Sequence, residues 1–321
     1  MLLPRDADRL AREPTPPPLL FLARLSDAES LGVAEVLGAA APGERSLAAG
    51  GLRRLAPSAE LRSAFPRVSI IVPTHARRDL VGHAVAGVLR NTPWPALEVL
   101  VVDDASTDGT AALLAAIAAR EPEVRVLRAP RQLGFAAATN LGIRASSGEI
   151  VVLLNDDTVV GPGWLSRLVA HLEASPGLGM VGPRTNEIDN SARLDVAYDD
   201  LAGMERLALC RAWSHSGGLR PVDRIALFCG ALRRSTLDSV GLLDERYEVG
   251  MFEDDDLCLA LRRRGLEVAV AEDAFVHHVG QATFSRLGDA RYLEIWQANR
   301  RRFERKWGVS WRPLGALLPG R

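Results

Sequence analysis

Residues 151–160 read VVLLNDDTVV, an apolar run that ends on an amide and two adjacent carboxylates, Asn155, Asp156 and Asp157. A buried strand does not end on two like charges unless something at that end favours them, because each raises the other's pKa. Two more polar clusters follow apolar runs. PTHARRD (73–79) follows VSIIVP, and Asp103–Asp104 close LEVLVVDD (97–104). Singly, such an Asp can serve only to cap the next helix. Together they put four carboxylates on one rim, and a divalent cation with oxygen ligands, Mg²⁺ or Mn²⁺, resolves the repulsion. A cation held by one or two protein carboxylates completes its shell with water and substrate phosphates, so the rim is read as a nucleoside-diphosphate site.

Two further stretches carry titratable groups. FEDDDLCLALRRRG (252–265) has helical apolar spacing and places Glu253, Asp254, Asp255 and Asp256 in the first turn, with Arg262 to Arg264 at the far end. Both clusters complement the helix dipole, and for Asp255 and Asp256 that is explanation enough. Glu253 and Asp254 directly follow the hydrophobic Met251–Phe252 and are expected at a cavity wall, where a carboxylate can serve as general base. VHHVGQAT (276–283) holds two of the six histidines. Adjacent side chains on an extended backbone point opposite ways, so at most one of His277 and His278 enters a site, either completing the cation's shell or serving as a structural imidazole.

The elements that must position these groups follow from the pattern. Strands are expected at 68–73, 97–104, 124–128, 149–155 and 178–183. Helices are expected at about 78–91, from Ser106 or Thr107 as N-cap, at 134–147 and at 162–175 with Pro162 near its first position. Alternation of buried strands with helices implies an α/β fold on a mostly parallel sheet, and ligands bind beyond the carboxyl ends of such strands. Residues 184–222 read as an irregular polar loop that could act as a lid. LEVAVAE (266–272) reads as a strand and RYLEIWQANRRRFERKWG (291–308) as a helix. Residues 1–65, Pro- and Gly-punctuated, read as an appendage or linker with short helices. The main domain then spans 66–321, with a nucleotide-binding half at about 66–183 and an acceptor half with the C-terminal helix at about 184–321.

Composition excludes several functions. The 321 residues carry a formal net charge of −1, which gives no footprint for nucleic acid. There is no GxxxxGK[ST], Lys306 is the sole lysine, and GFAAATNLG is not GxGxxG. P-loop and dinucleotide chemistry are therefore set aside, as is a lysine-dependent nucleotidyl transfer. Cys210, Cys229 and Cys258 have neither disulfide-framework nor zinc spacing, and no membrane-spanning stretch or signal peptide is evident. A cytoplasmic protein is expected. The basic tail, with Trp296, Trp307 and Trp311, either rests peripherally on an anionic membrane or packs its tryptophans on the domain.

In register, six stretches resemble the family 2 inverting glycosyltransferases of the GT-A fold, over roughly residues 66–306. They are VSIIVPTHAR, LEVLVVDDASTDGT, LGFAAATNLGIRASSGEIVVLLNDDT, CGALRRSTLDSVGLLDE, FEDDDLCLALRRRG and HHVGQATF. The resemblance implies a Rossmann-like sheet flanked by helices and transfer from a nucleoside-diphosphate sugar to a glycan or lipid-linked acceptor in cell-surface polysaccharide or glycolipid synthesis. It implies a nucleotide pocket lined by Pro73, Thr74, Arg77, Asp103 and Asp104, with Asn155 and Asp156 beside the donor. It implies Asp157 as main metal ligand, Asp254 as catalytic base and Glu253 as its support, and alignment on VGQAT favours His278 as the inward histidine. Asn155 stands where the acidic motif begins with Asp, and Gln132 where many relatives have Asn. NDD in place of DXD resembles the subgroup that includes rhamnosyl- and galactofuranosyltransferases. A sugar-1-phosphate nucleotidyltransferase and a non-catalytic nucleotide-sugar-binding module are the competing readings.

Overall fold

The computed structural model describes residues 64–188, 190–247, 249–280 and 289–312. All but the last two residues of the expected 1–65 appendage lie outside them. In chain order the elements are β1 (Val68–Thr74), α1 (Arg78–Asn91), β2 (Leu97–Asp103), α2 (Thr110–Ala118), β3 (Val124–Arg128) and α3 (Phe135–Ala145). Then come β4 (Ile150–Leu154), β5 (Thr158–Val160), α4 (Trp164–Ala174), β6 (Leu178–Arg184), α5 (Leu201–Ser214) and β7 (Leu219–Pro221). The series closes with β8 (Cys229–Arg233), α6 (Arg234–Val240), α7 (Glu253–Arg263), β9 (Glu267–His278) and α8 (Asp289–Trp307).

The strand order is β3-β2-β1-β4-β8-β6-β9-β5, with β7 on β9. The β3-β2-β1-β4 half is parallel throughout. Beyond β4 the sheet is mixed: β8 enters antiparallel between β4 and β6, while β6 and β9 pair parallel. Sequence periodicity does not register β8, because a single short strand gives no sign of its direction.

Every residue of β1 is buried, and its two faces serve different cores. Val68, Ile70 and Val72 belong to one core with Val81, Val85 and Val88 of α1 and residues of α4, whereas Ile71 belongs to a second core with Ile143 of α3 and Leu257 and Leu261 of α7. Helices on both faces are what make an unbroken apolar strand stable. α3 lies close on the sheet at Gly142, where a Cβ would come within 2.4 Å of Ile71 Cγ2.

Several expected boundaries shift for local reasons. α2 starts at Thr110 after Gly109 in the left-handed region, not at Ser106 or Thr107. The Ser106 amide instead donates to Asp103, and its hydroxyl accepts from the Ala76 amide. Pro162 precedes α4, whose N-cap is Gly163. The stretch 184–222 is not a loop throughout. It contains α5, capped by Asp200 through the Gly203 amide at 2.7 Å, and β7. β9 does not end at Glu272 but runs on through both histidines.

Candidate active site

β1 and β4 are parallel neighbours, so their carboxyl ends meet on one rim. There Thr74 Oγ1 donates to Asp156 Oδ2 at 2.7 Å. Arg77, beyond β1, places Nη1 3.2 Å from Asp156 Oδ1 and 3.4 Å from Asp157 Oδ2, with all three side chains under 10% exposed. Across from the two carboxylates, then, stands an arginine. β5 carries the chain from Asp157 into antiparallel pairing with the end of β9, opposing Thr158 to His278. This brings His278 Nε2 to 3.3 Å from Asp157 Oδ1.

The two histidines do point opposite ways. His277 meets the Tyr198 hydroxyl at 2.5 Å through Nδ1. His278 Nδ1 lies 2.8 Å from the Glu187 carbonyl, an acceptor only, so Nδ1 carries the proton and the lone pair of the neutral ring is on Nε2. The Asn186 side-chain amide clamps the His278 backbone at both N–H and C=O, and Phe228 stacks on the ring at 5.0 Å.

The titration behaviour follows from burial and neighbours. Burial pushes Asp156 up to about 6, against the Arg77 charge and with help from Asp157. Burial also disfavours the charged form of Asp157, but His278 and Arg77 overcome it and its pKa is lowered. Burial disfavours charge on His278, and Asp157 more than offsets this, so its pKa is raised.

The donor set fits a divalent cation with a mixed oxygen and nitrogen shell. Among the described residues Asn155 Oδ1 is buried without a hydrogen-bond donor, and Asp157 Oδ1, equally buried, faces His278 Nε2 at 3.3 Å. Two ligands of one six-coordinate ion stand about 3 Å apart, close to the Asp157–His278 spacing. A ligating histidine characteristically donates its other N–H to a carbonyl or carboxylate, as His278 does. Among the described residues no group of three or more His, Cys, Asp and Glu forms a metal cage. An ion here would draw its other ligands from water and phosphate.

At the end of β2, Asp104 accepts from the Leu133 and Gly134 amides through its two oxygens, at 2.7 and 2.9 Å. Asp103 accepts from the Ser106 amide and lies 3.6 Å from Arg128 Nε. These carboxylates shape the loops bordering the rim. Pro73 is buried in β1 beside Val102.

α7 brings the remaining pair. A Cβ on Gly179, near the start of β6, would lie 3.1 Å from Leu261. One on Gly134, in the loop that Asp104 holds, would lie 3.5 Å from Val249 N just ahead of the helix. The helix therefore runs from that rim back toward the start of β6. Glu253, eight residues or about 12 Å before Leu261, is thus carried toward the rim where β1 and β4 end. Burial and the adjacent Asp254 raise Glu253 to about 8, and its Oε2 has no hydrogen-bond partner among the described residues. Burial and Asp255 raise Asp254 to about 7, while its Oδ1 accepts from the Asp255 amide.

The next two acids do more than decorate a helix. Asp256 accepts from Tyr247, from Trp307 Nε1 and from Lys306 Nζ at 2.7 Å. Asp255 pairs with Arg224 and accepts from Trp311 Nε1. Trp296, Trp307 and Trp311 pack with Phe252, Tyr247 and Phe303, so the tryptophans fold onto the domain. Asn186, Glu187 and Tyr198, which hold the histidines, fall in the segment read as a loop and carried no sequence signal.

The profile of Glycosyl transferase family 2 matches residues 69–214. Over 214 residues the chain is 30% identical to the N-acetylglucosaminyl-diphospho-decaprenol L-rhamnosyltransferase of Mycobacterium tuberculosis, covering 58% of this chain and 68% of that one. The chain belongs to glycosyltransferase family 2. This family 2 chain is also 32% identical over 236 residues to the O-antigen biosynthesis protein RfbC of Myxococcus xanthus, covering 70% of this chain but only 18% of RfbC. Its fold is that of the GT-A glycosyltransferases. The mannosyltransferase PcManGT of Pyrobaculum calidifontis, solved with GDP-Man and Mn²⁺, superposes with a TM-score of 0.54 at 20% identity, covering 89% of this chain and 76% of that one.

Proposed function

We propose that this chain transfers a sugar from a nucleoside-diphosphate sugar to an acceptor hydroxyl with inversion at C1, assisted by Mg²⁺ or Mn²⁺, in synthesis of a cell-surface polysaccharide or glycolipid. The observation that carries this reading is Asp157 facing the Nε2 of a histidine whose Nδ1 is fixed by a carbonyl. Asp157 and His278 would hold the ion, which supplies charge neutralisation to the departing diphosphate. Thr74 and Arg77 hold Asp156 beside the donor, while Asp104 fixes the 133–134 loop at the nucleotide side.

Asp254 takes the proton of the acceptor hydroxyl as its oxygen bonds to C1. The bond from C1 to the diphosphate oxygen breaks in the same displacement. One base and no protein nucleophile invert the anomeric centre. The half at about 66–183 takes the nucleotide, and the half at about 184–321 takes the acceptor. A nucleotide-sugar donor suits a cytoplasmic enzyme. The exposed Arg291, Arg301 and Arg305 of α8 suit the anionic surface where lipid-linked acceptors lie.

Calorimetric titration of UDP, GDP and dTDP with and without Mn²⁺, on the wild type and Asp157→Ala, tests the donor site. The expected result is metal-dependent binding of one diphosphate, lost in the variant. Turnover undiminished in Asp254→Asn, a product of retained configuration or release of pyrophosphate would overturn the mechanism.

A further inference from the structure

The segment entering α7 is strained. Val249, Met251 and Phe252 have φ of 66°, 75° and 78°, and Gly250 lies at 144°. Left-handed backbone is uncommon for any non-glycine residue and an outlier for a β-branched one. Such conformations persist only where the surroundings over-determine them, and they collect at functional sites.

What over-determines this one is α8. Asn299, 1% exposed, donates through Nδ2 to the Gly250 carbonyl at 2.9 Å and the Met251 carbonyl at 3.3 Å. Its Oδ1 accepts from Arg302 Nη1 at 2.7 Å, which fixes the amide with its donors toward the segment. Phe252, itself the N-cap of α7, is wedged among Trp296, Phe303 and Trp311 at ring separations of 5.4–5.9 Å. On its other side the segment reaches the loop that Asp104 holds, since a Cβ on Gly134 would lie 3.5 Å from Val249 N.

We propose that Asn299 is a positioning residue for Asp254. By holding the Gly250 and Met251 carbonyls it keeps residues 249–252 left-handed, and so aims the first turn of α7 at the acceptor. This rests on Asp254 being the base. Without the Asn299 donors, Val249, Met251 and Phe252 relax toward negative φ and the carboxylate turns away from its acceptor. The bonds among the donor groups of the β1 and β4 rim and those of Asp104 to the 133–134 loop do not involve Asn299 and stay in place. Glycine at 251 reaches positive φ without steric cost, so it removes the strain that the clamp offsets at that position.

The test uses the full chain as wild type, Asn299→Ala, Asn299→Ala with Met251→Gly, and Asp254→Asn. Turnover is read as diphosphate released from a panel of UDP-, GDP- and dTDP-sugars. Asn299→Ala is expected to lower kcat at least tenfold, with donor KM and Mn²⁺–diphosphate affinity within twofold. Met251→Gly is expected to restore most of the loss. Hydrogen exchange reads the segment without substrate: amides 250–255 exchange at least tenfold faster in Asn299→Ala.

Unchanged exchange overturns the inference. So does kcat within twofold of wild type while Asp254→Asn is inactive, or a loss that Met251→Gly does not reverse. Full activity in Asp254→Asn overturns the reading of the base instead.

Discussion

His278 Nε2 faces Asp157 Oδ1 at 3.3 Å, and the same ring is tied through Nδ1 to the Glu187 carbonyl. The tie fixes both tautomer and ring orientation before any ligand arrives. His278→Ala is therefore expected to weaken Mn²⁺-dependent diphosphate binding by at least about 10–100-fold, the range typical of losing only a ligand's orienting partner. Tyr198→Phe, which removes the hydroxyl on His277, is expected to cost about 1 kcal/mol of stability and leave that affinity within twofold. Calorimetry and thermal unfolding of both variants separate the roles. Equal loss of affinity in the two would mean that His278 has no part in holding the ion that His277 lacks.

Arg77 is a counter-charge shared by Asp156 and Asp157, beside His278 on Asp157. Its removal leaves two buried carboxylates with His278 as the remaining basic neighbour on Asp157. Arg77→Ala is expected to destabilise the metal-free protein by about 3 kcal/mol, the low end for breaking a buried pair. Millimolar Mn²⁺ without nucleotide should then raise its Tm more than that of the wild type, because an ion now offsets the lost charge. A wild-type Tm and an unaltered Mn²⁺ response would mean that Arg77 does not compensate these carboxylates.

Much of this site is legible in sequence because short-range pattern encodes it. The acidic strand end at Asp156–Asp157 and the first turn of α7 are read from apolar runs meeting carboxylates. Strand alternation says that only one of His277 and His278 can enter the site, and the resemblance at VGQAT, not the alternation, favours His278. The partners are not legible, because they arrive through topology. Asn186 reaches the His278 backbone across 92 positions and Asn299 reaches Gly250 across 49. Asp255 and Asp256 show the limit of a local rule. The helix dipole accounts for their position, but their partners Arg224, Lys306, Trp307 and Trp311 come from outside α7.

Lys306, the chain's only lysine, joins Asp256 at 2.7 Å and Asp244 at 2.8 Å. Asp256 is 5% exposed, and a buried carboxylate deprived of its cation is costly. Tyr247 and Trp307 still donate to it, so Lys306→Met is expected to cost about 1–3 kcal/mol rather than more. Denaturant unfolding measures this directly. A cost below about 0.5 kcal/mol, the range of ordinary surface substitutions, would show that the pair does not anchor α8.

Asp254 is held at about 7 by burial and by Asp255. A base must be ionised to accept a proton, so kcat/KM should rise with pH through an acid limb near 7. Asp255→Asn removes a neighbouring negative charge and frees Arg224 from its partner. Both changes favour ionised Asp254, and the limb should move to lower pH. A limb that stays in place would dissociate the pH dependence from this carboxylate.

Glu253 gives the opposite test, of stability rather than rate. Burial and Asp254 hold it at about 8, above the ordinary 4.5 of a free glutamate. Between those values the folded chain keeps a proton that the unfolded chain has lost, so folding binds a proton and stability falls as pH rises. Below about 4.5 both states are protonated, and above about 8 the full deficit is present. Glu253→Gln resembles the neutral acid at every pH. Its advantage over the wild type should be absent near pH 4.5, grow through neutrality and level off above pH 8, reaching at least about 1 kcal/mol or a few degrees in Tm. Thermal unfolding at pH 5, 7 and 9 reads the slope. An advantage constant across that range would mean that Glu253 ionises alike in both states and that α7 does not hold it neutral.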